Sequence, residues 1–453
     1  MNQAAVEIVR TLRHRGHQAY LVGGCVRDLL LGREPADYDV ATDATPDQVM
    51  SIFPETYAVG AQFGVVLVPV DQFGSWQSTD SRNSKLETRN CIEVATFRND
   101  GLYSDGRHPD QVSYTKSPEE DVRRRDFTIN GLLLDPLNHD QVLDFVGGRD
   151  DLKAGIIRTI GDPERRFRED KLRMLRAVRF AARFGYSIDQ RTMEAIRKLA
   201  REIAQVSRER VRDELVKMLT EGHARRAFEL LDESSLLAEV LPEVAKMKGV
   251  RQPPQFHPEG DVWVHTLLLL EKLPAGVSPT LALGALLHDV GKPPTFRIAP
   301  DRIRFDNHAE IGARMAEQIC QRLRLSNHDT EQVVSLVGNH MRFAEVQRMR
   351  ESTLKRFLRL PKFDEQLELH RIDCESSHRE LGLYQFVREK LESTPPEKIR
   401  PQPLVTGDDL IALGYSPGPR FKEMLAAAED AQLEGRVRSA EEAREFVQRE
   451  FPR

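Results

Sequence analysis

Two aspartates separated by one residue, Asp37 and Asp39, follow a glycine pair in the stretch LVGGCVRDLLLGREPADYDVAT at residues 21–42. Short apolar runs bounded by glycine predict a buried strand that ends at the glycines, a helix that starts directly after them, and a second strand carrying DYDVAT. Alternate residues of a strand face the same way, so the two carboxylates converge. A divalent cation such as Mg²⁺ would relieve their repulsion.

The glycine turn adds groups that could hold an anion. Backbone N–H groups at Gly24 and at the start of the following helix suit a phosphate, and Arg27 can add a charged fork. Together with the aspartate pair, the turn predicts a site for a triphosphate and Mg²⁺. A glycine pair alone, or two alternating aspartates alone, would equally fit a routine loop and a solvent-facing strand.

A second stretch, RFREDKLRMLRAVRFAARFGY at residues 166–186, places polar side chains at three-residue intervals. These are Asp170, Arg173, Arg176 and Arg179. On a helix of 3.6 residues per turn, residues three apart lie on one side and shift gradually around the axis. The leucine and valine side chains then lie on the neighbouring side. An aspartate accepts and an arginine donates, so such a pair can match the Watson–Crick edge of a base. Ion pairing between residues three apart on an exposed helix is the alternative.

Arg125, Asp126 and Asn130 lie in RRRDFTINGLLLDP at residues 123–136. Arg125 suits a triphosphate and its ribose. Asp126 and Asn130 would order the ribose or the turn of this stretch itself, and a purely structural polar cluster stays open for them.

The second half of the chain carries a different set of chemical groups. Its histidines and aspartates are spaced by helix-to-helix intervals and are His265, His288, Asp289, His308, His340 and Asp373. Imidazole and carboxylate suit a divalent metal, so these residues are expected to converge from separate helices of a bundle. The segment HDVGKP resembles the signature of HD-domain metal phosphohydrolases. The alternative is an HD fold that is kept as a scaffold or an RNA platform without its metal.

Length and composition limit the class of protein. The chain has 453 residues, 30% of them charged, and a net charge of −5. It is therefore not a polycation, and no apolar run approaches the length of about 18 residues that spans a bilayer. The four cysteines are scattered without a CxxC pair, which favours a reducing cytoplasm over a disulfide scaffold.

The elements that must position these groups change from mixed strands and helices to helices alone along the chain. Short apolar runs at residues 62–70, 90–98 and 127–136 predict strands, and helical periodicity dominates from about residue 162. A proline-rich connection at residues 249–261 is the clearest boundary. The predicted fold is α+β: a small mixed sheet with helices at residues 1–150, a helical neck and body at 151–250, an HD helical domain at 251–390, and a helical tail at 391–453.

Five motifs in order resemble the class II tRNA nucleotidyltransferases, the CCA-adding enzymes and bacterial poly(A) polymerases of the polymerase-beta superfamily. They are LVGGCVRDLLLG with DYDVAT, TFRNDGLYSDGRHPD, RRRDFTINGLLLDP, DFVGGRDDLKAGIIRTIGDP and RFREDKLRMLRAVRFAARFGY. The third departs from the family at Gly131, where alanine is usual. We expect this small-for-small change to be harmless.

The resemblance implies transfer of CMP and AMP from CTP and ATP to the 3′ end of tRNA without a nucleic-acid template. It implies two-metal catalysis on Asp37 and Asp39 with Mg²⁺, and base selection by the helix that carries Asp170 and Arg173. Arg107 would lie in a flexible loop used when adenosine is added. The HD domain implies a possible second divalent metal.

Several alternatives stay open at this point. An A-adding enzyme or a poly(A) polymerase shares the motifs, although the mixed charge of the C-terminal tail disfavours the latter. A phosphohydrolase of the HD type, acting on RNA ends or nucleotides, is an alternative of another class. An RNA-binding module in which both sites have decayed is a third, against which the complete carboxylate pair argues. The oligomeric state is open.

Overall fold

The computed structural model describes residues 2–58, 64–70, 91–101, 112–255 and 257–452. The chain divides into two compact units, Met1–Met218 with Arg226–Val240 and Leu219–Arg225 with Leu241–Arg453. Strands concentrate in the N-terminal part and helices follow, which confirms the predicted α+β class. The finer division into four domains stays a prediction. No helix in the described ranges is long and apolar enough to cross a bilayer.

The first unit opens with the elements that build a mixed sheet. They are α1 Gln3–His14, β1 Ala19–Val22, α2 Gly24–Leu30, β2 Asp39–Thr42, α3 Pro46–Ile52, β3 Val65–Pro69, β4 Cys91–Thr96, β5 Arg98–Asp100, β6 Val112–Tyr114, α4 Pro118–Arg123, β7 Leu132–Asp135 and β8 Gln141–Asp144. Six strands pair in the order β3-β4-β2-β1-β7-β8. Neighbours are antiparallel except for β2 and β4, which run parallel.

Helix α1 packs on this sheet because its apolar residues recur at helical spacing. Ile8, Val9 and Leu12 are buried in one core with Val40 of β2. The side chain of Asn2 accepts a hydrogen bond of 2.9 Å from the backbone N–H of Ala4 and so caps the first turn.

Two strand predictions need correction. The strand expected to carry both aspartates begins only at Asp39, whose partner across the ladder is Val22 at the end of β1. Asp37 therefore lies before the strand and is exposed. Within residues 127–136, Thr128–Asn130 form a 3-10 turn and the strand starts at Leu132. The predicted strands at 62–70 and 90–98 are confirmed as β3 and β4.

Helices build the rest of the first unit. The elements that follow are α5 Gly148–Ala154, β9 Ile156–Ile157, α6 Pro163–Glu169, α7 Leu172–Phe184, β10 Ser187–Ile188, α8 Gln190–Leu199, α9 Arg208–Thr220, α10 Ala224–Glu233 and α11 Leu236–Val240, with a 3-10 helix at Ala200–Gln205. The end of α9 and the start of α10 fall in Leu219–Arg225, which belongs to the second unit. The expectation that Asp170 shares a helix with Arg173 is wrong. Asp170 has an extended backbone between α6 and α7, and its side chain accepts a hydrogen bond of 3.1 Å from the backbone N–H of Leu172, the first residue of α7.

The second unit is helical apart from one hairpin. Its elements are α12 Pro242–Ala245, α13 Val262–Glu271, α14 Pro279–Leu287, α15 Lys292–Thr295, β11 Phe296–Ile298, β12 Ile303–Phe305, α16 His308–Arg322, α17 Asn327–Asn339, α18 Glu351–Leu358, α19 Phe363–Ser376, α20 Gly382–Ser393, α21 Pro396–Ile399, α22 Gly407–Ala412, α23 Arg420–Leu433 and α24 Ala440–Glu450, with a 3-10 helix at His340–Glu345. Every residue of α14 from Thr280 to Leu287 is buried, as its continuous apolar sequence predicts.

Gly291 lets two backbones meet in this unit. A Cβ atom there would lie 2.1 Å from the carbonyl oxygen of His308 and 2.7 Å from the backbone nitrogen of Gly312. Only glycine permits this approach of the chain after α14 to the first turn of α16. The approach brings Asp289 towards His308.

Candidate active site and metal centre

One cavity in the first unit gathers most of the residues predicted to bind a nucleotide. Its volume is about 470 Å³. Eight arginines and three aspartates line it, with a few other groups: Gly23, Gly24, Arg27, Asp39, Arg124, Arg125, Asp126, Asn130, Asp170, Leu172, Arg173, Arg176, Arg179, Phe180, Arg183 and Arg210. This set is called the arginine-lined cavity below. Its excess of guanidinium groups suits a polyanion.

The carboxylates at the sheet include one that the sequence motifs do not reveal. Asp39 on β2 lies directly opposite Glu93 on the parallel strand β4. Burial, then the charge of Glu93, raises the pKa of Asp39 to about 6, with Arg125 opposing and Asp37 adding to the rise. Partial desolvation and the charge of Asp37 also raise the pKa of Glu93. The three carboxylates thus repel one another, and a hard cation such as Mg²⁺ would relieve that repulsion. Carboxylate oxygens are also the ligands that Mg²⁺ prefers.

The glycine turn fits closely against this group. Gly23 has φ +79°, which disfavours any other residue, and a Cβ there would lie 3.5 Å from Nη1 of Arg125 and 4.0 Å from Oδ2 of Asp39. Helix α2, which follows, spans seven residues. The turn therefore brings backbone, arginine and carboxylate together at one wall of the arginine-lined cavity.

The predicted base-reading residues both line the cavity, and each has its own partner. Oδ2 of Asp170 accepts from Nη2 of Arg210 at 2.8 Å. Nη1 of Arg173 donates to Oε2 of Glu169 at 2.9 Å and also to the backbone carbonyl of Arg166 at 3.2 Å. Arg210 lies on α9, outside the sequence motif that contains Asp170, so the motif does not predict this contact.

A chain of hydrogen bonds joins α7 to α2. Oδ2 of Asp126 accepts from Nε and Nη2 of Arg176 at 2.9 and 2.7 Å. Oδ1 of Asp126 accepts from the side chain of Asn130 at 3.1 Å, and Oδ1 of Asn130 accepts from Nη1 of Arg27 at 2.6 Å. Burial opposes ionisation, but Arg176 outweighs it and lowers the pKa of Asp126 to about 2. These contacts favour the structural alternative for Asp126 and Asn130.

Arg179 has a protein partner as well. Its Nε donates to Oε2 of Glu214 at 2.7 Å, and both side chains are almost fully buried. Its guanidinium also lies 4.4 Å from the ring centre of Phe180. Arg27, Arg176 and Arg179 all line the cavity, but each already pairs with a protein side chain. Their nucleotide-binding role therefore stays a prediction. Arg107 lies outside the described residues.

The second unit brings all six predicted metal ligands to one place. They form two groups, and within each group the ligand atoms lie within 4.8 Å of one another. One group is His265, His288 and Asp373, and the other is Asp289, His308 and His340. Nε2 of His265 lies 3.3 Å from Nε2 of His288 and 3.1 Å from Oδ1 of Asp373. Oδ1 of Asp289 lies 3.7 and 3.8 Å from Nε2 of His308 and of His340. These six residues are called the HD centre below.

The outer nitrogens of the histidines show which ring atom is offered to the centre. Nδ1 of His288, of His308 and of His340 lies 2.9, 2.9 and 2.7 Å from the backbone carbonyls of Ala285, Phe305 and Val337. A carbonyl only accepts, so Nδ1 carries the proton and Nε2 keeps its lone pair. Four converging Nε2 atoms and two carboxylates fit two adjacent divalent metals. Asp289, which lies 3.1 Å from Nε2 of His288, stands between the groups.

Three family models match the chain in order. The Poly A polymerase head domain matches residues 19–158, the probable RNA and SrmB-binding site of polymerase A matches residues 185–248, and the HD domain matches residues 262–374. All six residues of the HD centre lie within the last match.

Curated relatives agree with these matches. The CCA-adding enzyme of Geobacillus thermodenitrificans is 42% identical over 244 residues, which are 54% of this chain and 55% of that protein. The CCA-adding enzyme of Lactobacillus helveticus is 38% identical over 275 residues, 60% of this chain and 64% of that protein. The chain thus spans between half and two thirds of the length of the curated relatives it matches.

Solved structures cover more of the chain. The CCA-adding enzyme of Bacillus stearothermophilus in complex with CTP has a TM-score of 0.72 at 26% identity and covers 99% of this chain and 98% of its own. A Thermotoga maritima CCA-adding enzyme complexed with tRNA has a TM-score of 0.58 at 20% identity, with coverage of 98% and 94%, and shares the fold.

Proposed function

We propose that this chain, whose resemblance to the class II tRNA nucleotidyltransferases the matches bear out, transfers CMP and AMP from CTP and ATP to the 3′ end of tRNA. The arginine-lined cavity carries the proposal. It unites Asp39, the glycine turn, Asp170 and Arg173 around a volume of about 470 Å³. A cavity of this size accommodates one nucleotide.

In the proposed reaction, the terminal hydroxyl of the RNA attacks the α-phosphorus of the nucleotide. A new phosphodiester bond forms, and the bond to pyrophosphate breaks. Asp37, Asp39 and Glu93 would hold Mg²⁺, which would lower the pKa of the attacking hydroxyl and stabilise charge on the phosphates. Arg125, beside the glycine turn, neutralises the triphosphate and orients it.

Base choice is assigned to Asp170 and Arg173. One accepts and the other donates, and both face the same cavity, so together they present a fixed pattern to the edge of a base. Changing both residues to alanine is expected to relax base choice more than it weakens triphosphate affinity. If GTP and UTP stay excluded as in the unmodified protein, this assignment is wrong.

The carboxylates provide the direct test of the reaction. Asp39→Asn and Glu93→Gln are each expected to slow nucleotide incorporation by about 100-fold or more, while affinity for tRNA stays within about threefold. Asp47→Asn is the matched control, because this residue lies in the first turn of α3 and outside the cavity. Near-normal incorporation by Glu93→Gln would mean that Glu93 does not help to bind the metal.

The same cavity could serve an A-adding enzyme or a poly(A) polymerase, and the products distinguish them. CCA addition is favoured because the named relatives are CCA-adding enzymes. We place the reaction in the cytoplasm, which the four free cysteines support.

A second function is favoured by the HD centre. Two adjacent ligand groups suit hydrolysis of phosphate esters, in which one metal would activate water and both would stabilise charge. We propose that this unit is a metal-dependent phosphohydrolase that acts on RNA ends or nucleotides. Nε2 atoms of His265, His288, His308 and His340, with Asp289 and Asp373, would hold the metals.

The double variant His288→Ala, Asp289→Ala tests this second function. It is expected to lose metal-dependent hydrolysis of nucleotide monophosphates and 2′,3′-cyclic phosphates and to keep ATP- and CTP-dependent tRNA extension. Metal content and thermal melting measured alongside separate a lost site from a lost fold. If the unmodified chain binds no divalent metal in this unit, the scaffold alternative is correct.

A further inference from the structure

A second cavity, in the second unit, opens on the HD centre. Its volume is about 530 Å³, and the predicted ligands His340 and Asp373 are part of its wall. His340 belongs to one ligand group of the centre and Asp373 to the other. A phosphate ester held at the centre would therefore lie at one side of this cavity, which has room for a nucleoside. The cavity is called the HD pocket below.

The wall of the HD pocket differs in charge from that of the arginine-lined cavity. None of the described residues that line it is a lysine or an arginine, and Glu380 adds a second carboxylate to that of Asp373. The arginine-lined cavity has eight arginines. A run of RNA backbone in the HD pocket would meet carboxylates without a compensating cation. The pocket therefore suits the uncharged part of a nucleotide, its sugar and base.

Apolar and amide groups complete the wall of the HD pocket. Met341, which is 50% exposed, lines it together with Ala344 and Leu383. A methionine side chain adapts to the shape of a ligand because it is unbranched and polarizable. Gln255 and Gln347 each add an amide that both donates and accepts hydrogen bonds. Apolar surface with a few polar groups is the lining expected for a site that binds a base.

The turn between α19 and α20 brings two further polar groups, His378 and Glu380, to the pocket. The turn is tied to the helix of the predicted ligand Asp373, because Oγ of Ser377 donates to the carbonyl of Asp373 at 2.8 Å. Nδ1 of His378 accepts from the backbone N–H of Glu380 at 3.0 Å. A ring that accepts through Nδ1 carries its proton on Nε2, which is then a donor. The turn thus supplies one donor and one acceptor beside the HD centre.

We propose that the HD pocket binds the sugar and base of the substrate, so that the HD centre acts on phosphate esters of nucleosides. This rests on the proposed phosphohydrolase function. Glu380 accepts from an amino or hydroxyl group of the nucleoside, His378 donates to it, and Met341 contacts the base. The nucleoside belongs to a free nucleotide or to the terminal nucleotide of an RNA chain, which present the same groups.

Two phosphodiesters test the proposal on the Mn²⁺-loaded full chain. Adenosine 2′,3′-cyclic phosphate carries a nucleoside, and bis(4-nitrophenyl) phosphate carries none. Glu380→Ala should raise the KM of the first by about tenfold or more, because a hydrogen bond to a charged group is lost. It should leave kcat/KM for the second within about twofold.

Glu345→Ala is the matched control and should change neither substrate. This exposed carboxylate lies on the 3-10 helix that carries Met341 and is not part of the pocket wall. Equal losses for both diesters in Glu380→Ala, or no loss for either, would overturn the proposal.

A third substrate distinguishes the two sources of the nucleoside. A short RNA that ends in a 2′,3′-cyclic phosphate should lose as much kcat/KM in Glu380→Ala as the mononucleotide, because both place one nucleoside in the pocket. In the unmodified chain, the larger kcat/KM of the two identifies the source. A loss confined to the mononucleotide would contradict the shared recognition of free nucleotides and RNA ends.

A second measurement does not depend on hydrolysis. In the chain labelled with ¹³C at its methionine methyl groups, the signal of Met341, assigned by its loss in Met341→Leu, should shift when adenosine is added. Half of the shift should need about tenfold more adenosine in Glu380→Ala. An unmoved Met341 signal would overturn the proposal even if both diesters are hydrolysed. A shifted signal in a chain that hydrolyses neither diester would support the pocket and contradict the proposed phosphohydrolase.

Discussion

Gly291→Ala is a small change that should separate the two proposed functions of the chain. The new methyl carbon would lie 2.1 Å from the carbonyl oxygen of His308 and 2.7 Å from the backbone nitrogen of Gly312. Both are backbone atoms at the start of α16, so no side-chain rotation relieves the clash.

The structure sets the size of the effect. Ordinary contact begins at about 3.5 Å, so the two backbones must part by about 1.4 Å. Asp289 moves with residue 291, and its Oδ1 now lies 3.7 and 3.8 Å from Nε2 of His308 and of His340. A change of this size exceeds the tolerance of a metal site, and overpacking costs about 1–3 kcal/mol. The Tm of the second unit should fall by about 3–10 °C.

The assay compares thermal melting, metal content and tRNA extension in one preparation. We expect Gly291→Ala to lower Tm and to weaken metal binding at the group of Asp289 at least tenfold, while tRNA extension stays within about twofold. Gly407→Ala is the control, because this glycine starts α22 and a Cβ there meets nothing within 4 Å. Unchanged Tm and metal content in Gly291→Ala would refute the close approach.

Three further changes test the first unit. Gly131→Ala should destabilise it by about 1–2 kcal/mol in urea unfolding, because a Cβ there would lie 2.9 Å from Val146 and 3.0 Å from Ile160; equal stability would contradict this packing. Arg210→Ala should reduce discrimination against GTP and UTP because Asp170 loses its 2.8 Å partner, and Arg210→Lys should restore part of it; unchanged discrimination would make this contact structural only. Asp126→Asn should cost about 2 kcal/mol of unfolding free energy at pH 7. Since the folded pKa of Asp126, about 2, lies below its ordinary value of 3.8, the difference from the parent should disappear as pH falls from about 4 to 2, and a difference independent of pH would refute the charged contact with Arg176.

Residue types and local spacing carried much of both sites. Asp39, Arg125, Asp170 and Arg173 were predicted from short motifs, and the structure places all four at one cavity. The six ligands of the HD centre were predicted from their chemistry and from intervals that match separate helices. Such residues can be predicted from the sequence because charged side chains and histidines at these spacings seldom serve packing alone.

The partners of those residues could not be predicted. Glu93 reaches Asp39 only because β2 and β4 pair in parallel, and Arg210 reaches Asp170 only because α9 packs beside the start of α7. Each contact depends on long-range packing, for which local periodicity has no signal. Even the start of β2 at Asp39, two residues after Asp37, depends on where the ladder to β1 ends.

In the proposed function, one cavity adds both C and A to tRNA without a template. The direct measurement is to incubate tRNA lacking its terminal CCA, lacking CA or lacking only A with CTP and ATP together, and to sequence the 3′ ends. We expect every substrate to end in CCA and to stop there, with no incorporation of GTP or UTP when these are supplied. Ends that gain A only, long runs of A, or no extension at all would contradict the account.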